Sequence, residues 1–259
     1  MHSFTEIENH ELYPTFNIGE GGMGEIWTCR NPKYAIKIVR DGDNYKMSEI
    51  MKEKLVHLQH PNIVQCFGFR LINENLCIIM EHINGRNLKK FLKQTKPRHI
   101  DYRICRQMLD SVKFCHDSNI IHGDVTLTNF IFCTKDELPV IKLVDFDFAS
   151  FKNASPHSKA CGTIYNMAPE LLVLDSPCSY DHRIDIWALG VCYYYLFNRQ
   201  YPFRGETALE IHEKITTTEP LPLRLGGSIW IDIQSMLRKD LEKRVSLDKL
   251  LDSEWLAFA

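Results

Sequence analysis

Apolar and polar positions alternate in short runs along the first third of the chain, and glycines break the pattern. Successive side chains of a β-strand point to opposite faces of a sheet, so these runs predict the strands of an antiparallel sheet. A stretch of good helix formers, residues 45–58, interrupts the strands and ends before His60-Pro61-Asn62, which predicts a single helix. The predicted strands are residues 16–18, 25–29, 34–38, 63–69 and 76–81.

The apolar spacing changes to the period of a helix after residue 85. Residues 88–94 and 101–116 are amphipathic, whereas residues 183–197 are apolar on nearly every face, as expected of a helix in a core. Two further short strands are predicted, at residues 130–132 and 142–144.

This change from strands to helices predicts an α+β fold, with one domain of residues 1–259 built from two lobes. The sheet lobe would cover residues 1–81, the hinge residues 81–85 and the larger helical lobe residues 86–259. A chain of 259 residues, 44% apolar and 25% charged, is large enough to bury the core that such a fold needs.

Charge and cysteine content narrow the function classes. The formal net charge of −2 gives no sign of binding to nucleic acid or to an anionic membrane. Nine cysteines without a C-x-x-C pair argue against a disulfide framework or a zinc module and favour a reducing compartment. The N-terminus lacks the segments of a signal peptide, and the longest apolar run, residues 186–197, is too short to span a bilayer. An intracellular protein, cytoplasmic or nuclear, is therefore expected.

His122-Gly-Asp124, Asn129 and Asp145-Phe-Asp147 form the pattern with the clearest chemistry. Asp124 is suited to accept the proton of an attacking hydroxyl. Asn129 and Asp145 offer the hard oxygen ligands that Mg²⁺, or Mn²⁺ in its place, uses when it bridges phosphates. The spacing predicts phosphoryl transfer from MgATP.

A glycine-rich segment, Gly19-Glu-Gly21-Gly22-Met-Gly24, lies between the first two predicted strands. Backbone N–H groups approach phosphate oxygens closely where no Cβ intervenes. A dinucleotide-binding loop has the same G-x-G-x-x-G spacing, but a helix should follow such a loop, and here a strand follows. The remaining alternative is a glycine-rich hairpin without a ligand.

Taken together, these segments resemble the eukaryotic protein kinase family, whose motifs read G-x-G-x-x-G-x-V, V-A-I-K, H-R-D-L-x-x-x-N and D-F-G. The resemblance runs over residues 18–255 and includes Cys161-Gly162-Thr163, Ala168-Pro169-Glu170, Asp185-Ile-Trp187 and Arg244. Gly162-Thr163 points to the serine/threonine branch. Three positions depart from the pattern: Gly123 replaces Arg, Asp147 replaces Gly, and Thr126 replaces the Lys usual in that branch.

The resemblance implies a role for each catalytic residue. Asp124 would orient the acceptor hydroxyl and take its proton, with the hydroxyl of Thr163 within reach. Lys37 would neutralise phosphate charge, while Asn129 and Asp145 would hold Mg²⁺.

The resemblance also implies contacts outside the chemistry. Asp185 would cap the backbone of the catalytic loop, and Glu170 and Arg244 would form a buried bidentate pair. The residues expected to bind ATP are Ile18, Gly19, Gly21, Gly22, Gly24, Ile26, Ala35, Lys37, Glu49, Val64, Met80, Glu81, Ile83 and Ile131.

A carboxylate of the helix after Lys37 should pair with that lysine, and two residues qualify. The local pattern favours Glu49 over Glu53, whereas alignment on the apolar residues that follow places the expected position at Met51. The apolar residues Met47, Ile50 and Met51 would pack either on the sheet or on a second copy in a homodimer.

Two rival functions remain at this point. A pseudokinase that binds nucleotide as a scaffold is favoured by Thr126, Asp147 and the unclear helix carboxylate. A small-molecule kinase is disfavoured by the Ala-Pro-Glu and Arg244 features. The expected partners are ATP and a protein substrate. His-Gly-Asp in a compact chain also resembles late kinases of baculoviruses, which would imply basic or DNA-packaging substrates. Asn87 and Thr128 stand where many arginine-directed kinases carry acids.

Overall fold

The structure is a computed structural model that describes residues 10–21, 23–40, 47–72, 74–94, 102–135, 138–152, 163–172, 181–223 and 227–257. The chain divides into two compact units, residues 1–84 and residues 85–259. Each unit has a core of its own.

A five-stranded antiparallel sheet with one helix forms the first unit, in the strand order β1-β2-β3-β5-β4. Its elements are β1 (Pro14–Gly21), β2 (Gly24–Cys29), β3 (Tyr34–Val39), α1 (Glu49–His57), β4 (Cys66–Ile72) and β5 (Asn75–Glu81).

The central strand β3 sends alternate side chains to opposite faces of the sheet, as strand geometry requires. Ile36 lies on the face that also buries Leu12, Cys29, Cys77 and Ile79. Ala35 and Lys37 therefore belong to the opposite face, where both are almost fully buried.

Helix α1 begins at Glu49, later than the predicted start at residue 45, because the hydroxyl of Ser48 caps it by accepting a hydrogen bond from the N–H of Met51. Residues 45 and 46 lie outside the described residues. Met51 and Leu55 are spaced by four residues and form the buried face of the helix, which packs beside β4. Of the predicted apolar patch, Met51 thus packs on the sheet side, whereas the side chain of Ile50 is 70% exposed.

The second unit is mainly helical. Its core is α4, in which thirteen of sixteen residues are buried, as its apolar sequence predicts. Its elements are β6 (Arg86–Asn87), α2 (Leu88–Gln94), α3 (Tyr102–Asp117), β7 (Ile120–Ile121), β8 (Phe130–Lys135), β9 (Leu138–Leu143), β10 (Ser150–Phe151), α4 (Arg183–Asn198), α5 (Ala208–Thr217), α6 (Ser228–Met236), α7 (Leu247–Leu251) and α8 (Glu254–Ala257).

Two small sheets in this unit frame the predicted catalytic segments. Strands β6, β8 and β9 form one of them, and β7 pairs with β10 in the other. The predicted α+β class is confirmed. In the described part of the chain, no helix is long and apolar enough to cross a membrane.

Candidate active site

Asp185, at the start of α4, holds the backbone of residues 122–129, here called the central loop. Its carboxylate accepts hydrogen bonds from the N–H of His122 (2.8 Å), the N–H of Gly123 (3.0 Å) and Nε2 of His116 (2.9 Å). Burial alone would raise the pKa of Asp185, but the hydrogen bond and positive charge offered by His116 outweigh it and lower the pKa. The predicted cap is confirmed.

His122 links the central loop to Val144, the residue just after β9. Its Nδ1 accepts from the N–H of Asp124 at 3.2 Å, so Nε2 carries the proton and donates to the carbonyl of Val144 at 3.1 Å. The ring also packs edge-on against Phe146. This buried imidazole fixes the loop that carries Asp124 relative to the segment that carries Asp145.

Asn129 holds the carboxylate of Asp124. Its Nδ2 donates to Oδ2 of Asp124 at 2.8 Å and to the Asp124 carbonyl at 2.9 Å, which turns Oδ1 of Asn129 away from that carboxylate. Burial raises the pKa of Asp124, and the negative charge of Asp145 adds to the rise. His122 and the Asn129 hydrogen bond oppose it. Asp124 is thus a carboxylate with an enhanced tendency to take a proton.

Asp145 adopts a left-handed backbone conformation with φ of 68°. Such a conformation costs energy for a residue other than glycine and often marks a functional site. The carboxylate of Asp145 and Oδ1 of Asn129 are oxygen donors of the kind that a divalent cation uses in nucleotide sites, where phosphate and water complete its shell. Among the described residues, no group of three or more His, Cys, Asp or Glu side chains forms a denser metal site.

Gly123 stands where the family motif has arginine, and its backbone adopts a conformation that suits glycine. Its φ is +80°, and a Cβ there would lie 2.6 Å from the carbonyl oxygen of Phe148. A side chain at this position would force the backbone apart. Gly123 therefore provides no cation beside Asp124 that could pair with a phosphate on a neighbouring segment.

Asp147, the second departure, needs no glycine conformation here. The described non-glycine residues with positive φ are Glu74, Asn119, Asp145 and Arg199, and Asp147 is not among them. It lies in a turn closed by the N–H of Ala149 and the carbonyl of Phe146. An aspartate thus fits this conformation without the backbone freedom that glycine provides.

Thr126, the third departure, is buried, and its hydroxyl lies 2.7 Å from that of Thr128. It provides no cation two residues after Asp124. Thr163 faces Asp124 through its backbone N–H, which stabilises the charged carboxylate. That the Thr163 hydroxyl reaches Asp124 stays a prediction. Cys161 and Gly162 lie outside the described residues.

Arg244 and Glu170 form the predicted bidentate pair, with Nη1–Oε1 at 2.7 Å and Nη2–Oε2 at 3.0 Å. The arginine side chain is completely buried, and its remaining donors reach the carbonyls of Arg238 and Arg183. Its guanidinium also lies over the ring of Trp187. This prediction is confirmed, and the pair anchors the segment after Thr163 to the core of the second unit.

In the first unit, the predicted glycine loop is the β1–β2 hairpin, in which Gly19 pairs with Ile26 and Gly21 with Gly24. A Cβ on Gly24 would lie 2.2 Å from the carbonyl oxygen of Ile38, so this position must be glycine. Gly22 lies outside the described residues. Ile18 is half exposed at the hairpin.

Lys37 is 3% exposed on β3, opposite Ile26 and Ile78 of the neighbouring strands. Ala35 lies on the same strand as Lys37, and it pairs with Met80 of β5. These positions match those predicted from the sequence.

The helix carboxylate does not lie where the sequence suggested. The side chain of Glu49 is 87% exposed and pairs with Lys52 at 2.7 Å, and Glu53 is exposed as well. The prediction that Glu49 pairs with Lys37 is therefore not met. Helical spacing explains the difference: the buried face of α1 passes through Met51 and Leu55, and Glu49 and Glu53 lie off that face.

The remaining predicted ATP-binding residues include Met80 and Glu81 on β5, Ile131 on β8, and Val64 and Ile83 outside the strands. The N–H of Glu81 donates to the carbonyl of Gln65 at 2.9 Å, so an adenine base could not use this N–H. Met80 and Ile83 are half-buried, and Val64 is buried. Ile131 lies on β8 of the second unit, paired with Asn87 and Lys142.

Comparison with known proteins now decides the family, because a family model described as protein kinase domain matches residues 15–256. The chain belongs to the protein kinase family. Putative sperm motility kinase W of Mus musculus is 33% identical over 251 residues, covering 93% of this chain and 49% of that protein. Calcium-dependent protein kinase 6 of Plasmodium berghei is 30% identical over 267 residues, covering 98% of the chain and 18% of that protein.

Serine/threonine-protein kinase KIC1 of Saccharomyces cerevisiae is 31% identical over 256 residues, covering 92% of this kinase chain and 23% of that protein. The chain thus spans half or less of the length of these curated relatives.

Sequence reasoning missed two features of this kinase. His116 donates a hydrogen bond to Asp185, 69 residues further along the chain, and no local sequence pattern predicts such a pairing. Lys89 lies among three tyrosines beside the central loop. The run of lysines in α2 was visible in the sequence, but the tyrosines come from distant segments.

Proposed function

We propose that this kinase transfers the γ-phosphoryl group of MgATP to serine or threonine hydroxyls of proteins. The observation that carries the proposal is the carboxylate of Asp124. It is held by Asn129 at 2.8 Å on a loop whose backbone is fixed by Asp185. A carboxylate with a raised pKa in this setting can orient a hydroxyl and accept its proton as the phosphoryl group departs.

The other groups divide the remaining work. Asn129 and Asp145 would hold Mg²⁺, which supplies charge neutralisation to the phosphates when bound. Lys37 would neutralise phosphate from β3, and the glycine hairpin would offer backbone N–H groups to the same oxygens. These side chains need no proton transfer of their own, because their part is to bind and orient.

Serine/threonine specificity rests on two supports. The sequence has the Gly162-Thr163 pattern of that branch. The yeast relative also has serine/threonine-protein kinase in its name. Because the chain spans half or less of its relatives, the activity of the whole protein belongs to the proposal. None of the three relatives described above is viral, so the baculovirus resemblance and the basic substrates it implies stay predictions.

A second candidate function is a pseudokinase that binds nucleotide without efficient transfer. It is favoured by the buried Thr126 hydroxyl where the family usually has a lysine, and by the apolar buried face of α1. Against it stand Lys37, Asp124, Asn129 and Asp145, since each of the four chemical groups is present at its motif position.

One assay separates the two candidates. Purified protein is incubated with Mg²⁺ and γ-labelled ATP, alone and with protein substrates, and the labelled residues are identified by acid hydrolysis. Labelled phosphoserine or phosphothreonine that disappears in both Lys37→Met and Asp145→Asn supports the kinase. Nucleotide binding without label transfer would establish the pseudokinase, and label on phosphotyrosine would refute the predicted specificity.

A further inference from the structure

Lys89 lies directly beside the central loop. It is the second residue of α2, and its backbone N–H donates to the carbonyl of Leu127 at 3.1 Å. Leu127 is three residues beyond Asp124, so α2 begins on the loop that would hold the acceptor hydroxyl. The position of the Lys89 backbone is therefore fixed relative to the proposed base.

Three tyrosines surround the side chain of Lys89. Its Nζ lies 2.9 Å from the hydroxyl of Tyr201 and 5.3 Å from the centre of that ring. Tyr201 stacks on Tyr165 with ring centres 4.2 Å apart and contacts Tyr195 at 5.0 Å. Tyr165 follows Thr163 by two residues, in the segment whose backbone faces Asp124. We call Lys89, Tyr165, Tyr195 and Tyr201 the lysine–tyrosine cluster.

The charge of the cluster is not neutralised by a described acid. In the part of the chain that the structure describes, no carboxylate lies within ion-pair distance of Lys89, and its neighbours are phenols. Partial burial would lower the pKa of Lys89, but the Tyr201 hydrogen bond and the phenols raise it, so the side chain is a stable cation. Helix α2 also carries Lys90 and Lys93 and no acid.

Neighbouring positions add no negative charge. Asn87 caps the start of α2, its Oδ1 accepting from the N–H of Lys90 at 2.8 Å. Thr128 bonds to Thr126. A bound peptide would therefore meet a cation and neutral hydroxyls on this side of the central loop. An ammonium has three donors, and the phenol of Tyr201 accounts for one of them.

We propose that the lysine–tyrosine cluster selects protein substrates with an anionic side chain near the phosphorylated residue. The proposal rests on the proposed kinase function and names its substrate class. A carboxylate or a phosphate can accept charge-assisted hydrogen bonds from Lys89 and ordinary ones from the tyrosine hydroxyls. A lysine or arginine at the same place meets repulsion from α2, and this repulsion disfavours basic substrates. The selectivity is opposite to that implied by the baculovirus resemblance.

The first test is a serine peptide library in which Asp, phosphoserine or Lys is placed in turn at each position flanking the acceptor. The wild type should phosphorylate the best Asp peptide about tenfold faster, in kcat/KM, than its Lys counterpart. Lys89→Ala should reduce this ratio to about twofold, and Lys89→Glu should invert it. A higher rate with phosphoserine than with Asp identifies a previously phosphorylated substrate, and equal rates identify a plain acidic one.

Lys90→Ala is the matched control, because it removes an exposed lysine of the same helix outside the cluster, and it should keep the wild-type ratio. Tyr201→Phe deletes the hydroxyl that holds Nζ and should give a ratio between those of the wild type and Lys89→Ala. The proposal is overturned if Asp and Lys peptides react equally at every position, or if Lys89→Ala retains the full preference.

A binding measurement separates failure of this proposal from failure of the kinase function. If no peptide is phosphorylated, the proposed kinase function is wrong. Fluorescence anisotropy of the same peptides, carrying a fluorescent label, then measures their binding and tests the cluster separately. Tighter binding of acidic peptides that is reversed in Lys89→Glu supports it. Equal binding of acidic and basic peptides refutes it.

Discussion

The central loop of the second unit and helix α1 of the first differ in how their polar groups are satisfied. Hydrogen bonds of 2.8 to 3.2 Å join His122, Asp124 and Asn129 of the central loop to one another and to Asp185 of α4. On α1, the two carboxylates point to solvent and the buried face is apolar.

The difference predicts that the central loop tolerates substitution less well than helix α1. A buried polar network loses the full desolvation energy of each partner that is left unpaired, so its members depend on one another. An exposed carboxylate contributes little and can be replaced without such a cost. We therefore expect chemistry in this protein to be sensitive to the central loop and insensitive to Glu49.

The largest effect is expected for Asp124→Asn. The amide cannot accept the hydroxyl proton, and turnover should fall by roughly 10²–10⁴ while nucleotide affinity is retained. Steady-state phosphorylation and ATP titration measure the two quantities. Asp117→Asn removes an exposed carboxylate of α3 and serves as control, with activity expected to remain. Near-normal turnover of Asp124→Asn would show that the network does not carry the chemistry.

Gly123→Ala should have the next largest effect. The Cβ would approach the Phe148 carbonyl to 2.6 Å in a left-handed backbone, and the free energy of unfolding should drop by about 1–3 kcal/mol. Activity should fall with it, because the N–H of Gly123 helps to bind Asp185.

Denaturant unfolding of Gly123→Ala beside Gly19→Ala provides the comparison, since a Cβ at Gly19 meets no atom within 4 Å. Equal stability of the two variants would mean that the central loop is less tightly held than the contacts indicate.

The raised pKa of Asp124 should have a moderate effect on how activity and stability depend on pH. Because the pKa of Asp124 is raised, the acidic limb of the kcat/KM profile should lie above the ordinary aspartate value of about 3.9. The charged form is disfavoured in the fold, so stability is lost as the pH rises through this raised pKa. Asp124→Asn should consequently be more stable than the wild type at neutral pH.

Asp185 changes stability with pH in the opposite direction from Asp124. Its pKa is lowered, so it contributes stability above the unfolded value, and this contribution disappears as the pH falls through the folded pKa. Thermal unfolding of the wild type and Asp124→Asn between acidic and neutral pH checks both signs. A constant stability difference between the two proteins across that range would contradict the raised pKa of Asp124.

The smallest effect is expected for Glu49→Ala and Glu53→Ala. Both side chains are exposed, so activity should stay within about twofold of the wild type and stability should change by less than about 0.5 kcal/mol. Kinase assays on the two variants, with Lys37→Met as the inactive reference, decide the matter. A tenfold loss in Glu49→Ala would remove the contrast between the two regions.

Much of this protein could be predicted from the sequence. The strand and helix periods predicted the α+β fold, because one face of each element must be buried and the period of the apolar residues reveals that face. The five-residue spacing of Asp124 and Asn129 on one short loop predicted that both belong to the same catalytic segment. The Glu170–Arg244 pair was predicted across 74 residues only through the resemblance to the kinase family.

Tertiary structure alone decided the rest. The choice among Glu49, Glu53 and Met51 depended on where the cap at Ser48 starts the helix, since a shift of one residue rotates α1 by about 100°. The Phe148 carbonyl that forbids a side chain at Gly123 and the tyrosines around Lys89 come from distant segments. Sequence determines contacts whose geometry is fixed by local backbone periods, whereas contacts between segments far apart in the chain exist only after packing has brought them together.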